Sequence, residues 1–170
     1  MADFKVGETI LKPSMGICKI RGIRRMNFDG IEKKCYVIAA GDASIMVPMD
    51  KAFELGLRYP INEEEVDNLL EKFKEVYELP EELPSVEVLA MKALMKKRKV
   101  EDLAHIIQNM YHRNKVEPMN SREEDCWVSA TKLLAEEMAH AKHTTRAKMV
   151  NQIRGALAQS KKSAKMSLGE

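Results

Sequence analysis

The chain has 170 residues, enough for one large domain or two small ones. Its composition is that of a globular protein with only 5% aromatic residues, and its formal net charge is +2. No stretch is apolar enough to cross a bilayer, the first residues lack a secretory signal, and the three cysteines lie far apart. We therefore expect a cytoplasmic protein without disulfides.

The charged residues are distributed unevenly along the chain. Residues 61–84 carry nine acidic and two basic side chains, whereas the segments before and after them are mildly basic. This asymmetry permits a nucleic-acid partner for the carboxy-terminal part of the chain but does not require one.

Residues 4–48 show the two-residue hydrophobic period of half-buried β-strands. Turn-forming residues interrupt the pattern near Pro13, Asp29 and Gly41. Four or five short strands with tight turns close best as a small antiparallel, Tudor-like or SH3-like barrel, because closure removes unpaired strand edges. Barrels of this size serve many functions, so this architecture alone does not assign one. We place the barrel domain at residues 1–60.

Pro60 lies at the boundary between two patterns. Beyond it, apolar residues recur at helical spacing. They predict five amphipathic helices with short loops, and thus a compact helical domain over residues 61–170 whose tail frays from about residue 160. The predicted amino-terminal caps are Asn62 with Glu65, then Ser85, and later Ser121 with Glu124.

Each predicted helix has an apolar stripe that should face the core. The stripes consist of Val66, Leu69, Leu70, Phe73, Val76 and Tyr77; Val88, Leu89, Met91, Leu94 and Met95; Leu103, Ile106, Ile107, Met110 and Tyr111; Trp127, Ala130, Leu134 and Met138; and Ala147, Val150, Ile153 and Leu157.

Basic residues end the second predicted helix. They are Lys96, Lys97, Arg98 and Lys99, with Lys92 one turn earlier. Cations are favourable at a helix carboxy-terminus, so the run is explained equally well by a solvated helix end and by a cluster that contacts phosphates.

No motif of the chain is typical of catalysis. There is no phosphate-binding glycine loop and no nucleophile elbow. The pairs His105 with His112 and His140 with His143 lack the further ligands of a metal site, so we expect surface histidines and neither metal nor cofactor. Carboxylates of the first and fourth helices are expected on solvent faces. Trp127 lies on an apolar stripe, which favours core packing over insertion between DNA bases.

Several short motifs occur together, in an order and spacing typical of one family. They are Phe4-Lys5-Val6-Gly7-Glu8-Thr9, the turn with Pro13 and Gly16, Lys34-Cys35-Tyr36-Val37-Ile38, Met46-Val47-Pro48, Leu55-Gly56-Leu57-Arg58, Val100-Glu101-Asp102-Leu103-Ala104, Tyr111-His112-Arg113 and Leu133-Leu134-Ala135-Glu136-Glu137. In these motifs the chain resembles the CarD/CdnL family of bacterial transcription regulators, over most of residues 4–141.

The resemblance implies a non-catalytic regulator whose barrel binds the RNA polymerase β subunit by pairing strands edge to edge. It implies a helical domain that contacts upstream promoter DNA and favours the open promoter complex, with no membrane or small-molecule substrate involved. The implied polymerase-binding residues are Arg24, Arg25, Met26, Ile45, Met46, Val47 and Pro48. The implied DNA-binding residues are Lys92, Lys96, Lys97, Arg98 and Lys99.

The chain departs from the family at two places. Family members carry arginines on the polymerase-facing strands, where Met26 and Met46 stand here, with Arg24 and Arg25 close by. They also have a tryptophan at the start of the second helix, where this chain reads Leu83-Pro84-Ser85-Val86. We expect the lysine cluster to replace it with phosphate contacts that do not read bases.

Two other functions remain open from the sequence. The first is an adaptor whose barrel docks on polymerase while its helices bind protein rather than DNA, and the missing aromatic residue favours it. The second is a small RNA-binding barrel, which the shortage of aromatic residues for base stacking disfavours.

Overall fold

A computed structural model of the chain describes residues 3–160. The chain divides between Pro60 and Ile61 into two compact units. Within the described range, the first unit contains four strands and the second contains five helices. The expected fold class, a small antiparallel β unit followed by an all-α unit, is confirmed.

The strands of the first unit are β1 (Thr9–Lys12), β2 (Gly16–Phe28), β3 (Ile31–Ala40) and β4 (Ala43–Pro48). They form an antiparallel sheet in the order β1-β2-β3-β4, curled into a half-barrel. In the part of the chain that the structure describes, β1 and β4 do not pair with each other. The Leu11 N–H of β1 instead donates to the Arg58 carbonyl over 2.7 Å, which covers part of the β1 edge.

The predicted opening strand is shorter than expected. Residues 4–8 form a turn rather than a strand, and β1 begins only at Thr9. Gly7 has a φ of +91°, a backbone conformation that favours glycine. Its N–H still donates to the Ile20 carbonyl over 2.7 Å, so this turn is attached to β2.

A two-residue turn joins β2 to β3. Asp29 and Gly30 both have positive φ, 50° and 87°, as the primed hairpin turns require. The register shifts once between Ile20 and Gly22, where Arg21 forms a β-bulge. The bulge exchanges the two faces for every β2 residue that follows it.

The core of the first unit lies on one face of the sheet. Tyr36 is at its centre: its hydroxyl oxygen accepts a hydrogen bond from the Phe4 N–H over 3.1 Å, and the two rings meet edge to face at 5.7 Å. The buried cluster comprises Phe4, Ile10, Cys18, Ile20, Tyr36, Ile38, Val47, Ala52 and Leu57. A short 3-10 helix, Met49–Lys51, follows β4.

The second unit packs its helices around one large apolar cluster. The helices are α1 (Glu63–Lys74), α2 (Val88–Lys97), α3 (Val100–Asn114), α4 (Ser121–Lys142) and α5 (Arg146–Ala158). Leu103, Ile107, Leu134, Met138 and Ile153 are among its fully buried side chains. No helix within residues 3–160 has the length and apolarity that a membrane span requires.

The amino-terminal caps of the helices agree with the predicted caps only in part. The Asn62 and Glu65 capping box of α1 is confirmed. The box of α4 is formed by Asn120 and Glu123, one residue before the predicted pair, because both registers supply a capping residue and a glutamate three positions later. Ser85 caps nothing, since α2 begins at Val88 without a side-chain cap.

Three predicted stripes contain errors. Helix α1 ends at Lys74, so Val76 and Tyr77 lie in the connector beyond it. In α2, Leu89 and Leu94 are exposed and only Met95 is buried. In α5, Ala147 is exposed and Met149 is buried instead. The stripes of α3 and α4 are confirmed.

Two polar residues that were expected at the surface are buried. The Glu137 carboxylate of α4 accepts a hydrogen bond from the Ile61 N–H over 2.8 Å. Ser160, assigned to a frayed tail, donates its hydroxyl proton to the Glu75 carbonyl over 2.6 Å. Glu137 therefore attaches the start of the helical unit, at Ile61, to α4, and Ser160 attaches the end of the described chain to Glu75. The rest of the predicted tail, residues 161–170, lies outside the described residues.

Candidate functional site

The two faces of the β2-β3-β4 sheet differ in what covers them. Cross-strand neighbours share a face, so Ile23, Tyr36 and Val47 form one set on the core side. The next set along the strands lies on the opposite side, which we call the outer face. Its residues are Lys19, Gly22, Arg24, Met26 and Phe28 of β2, Ile31, Lys33, Cys35, Val37 and Ala39 of β3, and Ser44, Met46 and Pro48 of β4.

The predicted polymerase-binding residues are divided between these faces. Arg24, Met26, Met46 and Pro48 lie together on the outer face. Arg25 and Ile45 belong to the core side, where the Arg25 guanidinium is 3.9 Å from the Glu32 carboxylate and Ile45 packs against the buried cluster. Val47 is only 3% exposed, so its backbone alone is available to a partner.

The outer face carries two exposed cations, Lys19 and Arg24, and one paired lysine. The Lys33 ammonium lies 3.2 Å from the Asp50 carboxylate, which neutralises it. Arg24 is exposed and makes no ion pair within residues 3–160. Around these groups the face is apolar: Cys35 and Val37 are buried, and Met46 is 38% exposed.

The outer edge of β4 is unpaired. β4 pairs with β3 on one side, and no backbone hydrogen bond within the described chain reaches its other side. Its six residues, Ala43–Pro48, include no charged side chain. Proteins usually protect a free edge with charges, bulges or covering segments, so an edge without them is available for strand addition.

The predicted DNA-binding cations do not all face solvent. Lys92, Lys96, Lys97 and Lys99 are exposed. The Arg98 side chain is only 14% exposed, and its guanidinium lies 3.9 Å from the Glu136 carboxylate of α4. Arg98 also ends α2 in a left-handed conformation, with a φ of 49°. The four lysines therefore form an exposed cationic ridge, and Arg98 attaches the end of that ridge to α4.

Leu89 is a residue of this region that the sequence pattern assigned wrongly to the core. It is 82% exposed and lies three and seven positions before Lys92 and Lys96, so the three side chains share one face of α2. Helical periodicity cannot distinguish such a leucine from a core residue, because apolar residues occur on both the buried and the exposed side of α2.

Trp127 is part of the core, as predicted. It is buried, and its indole N–H donates to the Ile107 carbonyl over 3.0 Å. The Arg154 guanidinium lies 5.3 Å from the centre of its ring. The only tryptophan of the chain therefore packs between α3, α4 and α5 and is not available as a wedge.

His112 is the exception among the histidines, which were expected at the surface. Its ring stacks on Tyr77 of the connector at 5.0 Å, and its Nε2 atom is buried without a hydrogen-bond partner among the described residues. Burial lowers the pKa of His112, and the Lys115 ammonium lowers it further. Within residues 3–160, no group of three or more histidine, cysteine, aspartate or glutamate side chains is placed to hold a metal ion.

A small β unit with a free strand edge, followed by a helical unit with exposed cations, is typical of proteins that bind macromolecules. Comparison with protein families is consistent with this class. A family model described as the CarD-like/TRCF RID domain matches residues 4–59, and one described as the CarD C-terminal domain matches residues 88–154. The chain therefore belongs to the CarD/CdnL family, which comprises non-catalytic transcription regulators that interact with RNA polymerase.

Proposed function

We propose that this chain is a non-catalytic regulator that binds the β subunit of bacterial RNA polymerase and upstream promoter DNA, and thereby stabilises the open promoter complex. It acts in the cytoplasm, attached to the nucleoid through the polymerase, and needs no cofactor. The observation that carries the proposal is the free, uncharged β4 edge in the unit that matches the RID model.

A strand of the polymerase lobe would add to β4. Main-chain hydrogen bonds supply affinity in such an arrangement, and side chains on alternate positions supply specificity. Arg24, Met26, Met46 and Pro48 lie on the outer face next to this edge and would contact the same partner. Of the seven expected residues, Val47 would contribute only through its backbone, because its side chain is buried.

The cationic ridge of α2 would contact the DNA backbone. Lys92, Lys96, Lys97 and Lys99 are exposed and carry no base-reading geometry of their own, so the contacts would be salt-dependent and weakly sequence-specific. Leu89 lies on the same face as Lys92 and Lys96, and apolar side chains at such positions contact bases in the minor groove. Arg98 would act mainly by holding the ridge against α4.

Open-complex stabilisation follows from differential binding. A ligand that binds the melted promoter complex better than the closed one shifts the population by that difference in affinity. A tenfold preference corresponds to about 1.4 kcal/mol, which a few phosphate contacts can supply. No chemical step is required.

The lifetime of open promoter complexes tests the proposal. Purified polymerase and promoter DNA are challenged with a competitor, with and without the full chain, and the chain is expected to lengthen the lifetime. A double Lys96→Glu and Lys97→Glu variant should lose the effect while still binding polymerase. The matched control, Lys132→Glu with Lys148→Glu, makes the same charge change at exposed positions elsewhere in the helical unit and should retain it. An unchanged lifetime with polymerase-bound wild-type chain would contradict the proposal.

The adaptor is the second candidate function. The inward position of Arg98 favours it, because the ridge then has fewer cations than the sequence suggested. In that case the Lys96→Glu and Lys97→Glu variant would occupy promoters as well as the wild-type chain, since recruitment would depend on protein contacts alone.

A further inference from the structure

We propose that α2 opens locally in the free chain, and that contact of the DNA backbone with its lysines holds the helix closed. This rests on the proposed function for the identity of the polyanion and adds a conformational step to that contact. The affinity for DNA then depends on how well α2 packs against α3 and α4, as well as on the exposed lysines.

The first support is the weak attachment of α2 to the helical core. Of the ten residues of α2, Met95 alone is buried, whereas α3 buries seven side chains and α4 nine. Met91 adds a half-buried side chain against the same cluster. Buried apolar contacts are the main resistance to local opening, so α2 should open more readily than α3 or α4.

The second support is the uncapped start of α2. Glu87 precedes the helix with a ψ of 86°, and its side chain makes no capping hydrogen bond. The first turn also has no acidic residue to offset the helix dipole. Helix α1 has both, through the Asn62 and Glu65 box and the three glutamates of its first turn. A short helix without these features frays from its amino-terminal end.

The third support is a pair of contacts that bracket α2. Before the helix, the Arg113 guanidinium donates to the Pro84 carbonyl over 2.7 Å. After it, the Arg98 guanidinium lies 3.9 Å from the Glu136 carboxylate. Residues 75–87 contain no helix or strand, so the chain before α2 can adjust without breaking secondary structure. The segment between the two contacts can therefore open while the rest of the helical unit stays folded.

The charge of α2 couples its opening to DNA. The helix contains Lys92, Lys96 and Lys97 and no acidic residue. Lys92 and Lys96 are one turn apart, where like charges destabilise a helix. DNA phosphates beside these lysines would remove the repulsion. The DNA backbone therefore binds the closed helix better than the open segment and shifts the population toward the closed form.

Hydrogen–deuterium exchange of the full chain, free and with a short DNA duplex of arbitrary sequence, tests the opening. In the free chain, the amides of α2 should exchange at least roughly tenfold faster than the buried amides of α3 and α4. Saturating duplex should slow the exchange of α2 by a similar factor. Helix α1, whose first turn is acidic, is the control and should exchange at an unchanged rate.

Two substitutions of Glu87 separate capping from charge. Glu87→Ser and Glu87→Ala remove the same charge, but only serine can cap the helix. The amides of α2 should exchange about fivefold more slowly in the serine variant than in the alanine variant, because a capping hydrogen bond stabilises the helix start.

Met95→Ala tests the link between packing and DNA affinity. Met95 is only 9% exposed, so its truncation loosens α2 without removing a surface that DNA could contact. The variant should bind the duplex several-fold more weakly than wild type, whereas Met95→Leu, which keeps most of the buried volume, should bind normally. If Met95→Ala does not fold, the two variants of Glu87 decide the question.

The outcomes distinguish the two proposals. Failure of the folded wild-type chain to bind the duplex would overturn the DNA contact of the proposed function, and this inference with it. Duplex binding together with α2 exchange as slow as that of α3 would overturn only the opening of α2. So would wild-type affinity in Met95→Ala together with equal α2 exchange in the two variants of Glu87.

Discussion

The β unit and the helical unit bury their apolar surface in different ways. The sheet covers its main core on one face, around Tyr36. On the other face Cys35 and Val37 are buried, but Met46, Phe28 and Ile31 are exposed. The helices enclose their cluster from several sides, and Leu89 is exposed on α2 away from that core. An open apolar face and a free edge are therefore properties of the first unit, while the second offers exposed charge.

Under the proposed function, this difference favours a protein partner for the β unit and a polyanionic partner for the helical unit. A protein partner can add a strand to a free sheet edge and cover an apolar face. The helical unit offers neither, because its apolar cluster is enclosed. A polyanion needs exposed cations, which the α2 ridge provides. Substitutions in the core of the helical unit should therefore lower its stability strongly, whereas substitutions on the outer face of the β unit should lower stability little.

The largest expected effect is in the core of the helical unit. Phe73→Ala should lower the free energy of unfolding by about 3–5 kcal/mol, because the ring is completely buried. Trp127 is the only tryptophan, so its fluorescence reports the denaturant transition of this unit. The control Leu89→Ala, on the exposed side of α2, should stay within about 0.5 kcal/mol of wild type. A comparable loss of unfolding free energy in both variants would show that Phe73 is no more buried than Leu89.

A smaller effect is expected at Gly56 of the β unit. Its φ is +78°, and a Cβ atom there would lie 2.9 Å from the Pro13 side chain. Gly56→Ala should destabilise the β unit by about 2 kcal/mol or more, from the left-handed backbone and the clash together. Gly41→Ala has the same backbone cost but open space around it, so it should lose less. Amide hydrogen exchange of β2 and β3 would measure both, and equal losses would show that the contact with Pro13 is unimportant.

The start of α4 tests a still smaller contribution. Asn120→Ala removes the capping side chain and should cost about 1 kcal/mol, whereas Ser121→Ala should be nearly neutral. Denaturant unfolding of the two variants is the measurement. A larger loss of stability in Ser121→Ala than in Asn120→Ala would show that Ser121 is the cap, as the sequence suggested, and that the helix begins one residue later.

The smallest expected effect is the pH dependence due to His112. Its pKa is lowered in the folded state, so the unfolded chain binds the proton more tightly. Stability is therefore complete above the ordinary value of 6.5 and decreases as the pH falls through the lowered value. His112→Phe keeps a ring beside Tyr77 but cannot titrate, so it should lose less stability than wild type between pH 7.5 and pH 5. Parallel pH profiles for the two proteins would refute this assignment.

Much of the fold was predictable from periodicity. The predicted stripe of α3 faces the core, and Trp127 is buried on the predicted stripe of α4, because long amphipathic patterns define helix faces well. The cap of α4 was not predictable, since Asn120 and Ser121 fit the motif equally well. The positions of Arg98 and Glu137 depend on partners far away in sequence, Glu136 and Ile61, which no local pattern reveals.

The outer face of the β sheet was the least predictable feature. Simple alternation from Ile20 places Met26 on the core side of β2. The bulge at Arg21 reverses this and brings Met26 and Met46 to the same face. A bulge has no reliable sequence signal, so the common face of Met26 on β2 and Met46 on β4 could be identified only from the structure.

Hydrogen–deuterium exchange of the full chain, with and without purified core RNA polymerase, tests the central claim most directly. The account predicts new protection in β4 and in the part of β2 after Arg21, with little change in the helical unit when DNA is absent. Protection confined to the helices, with β4 exchanging as in the free chain, would contradict it.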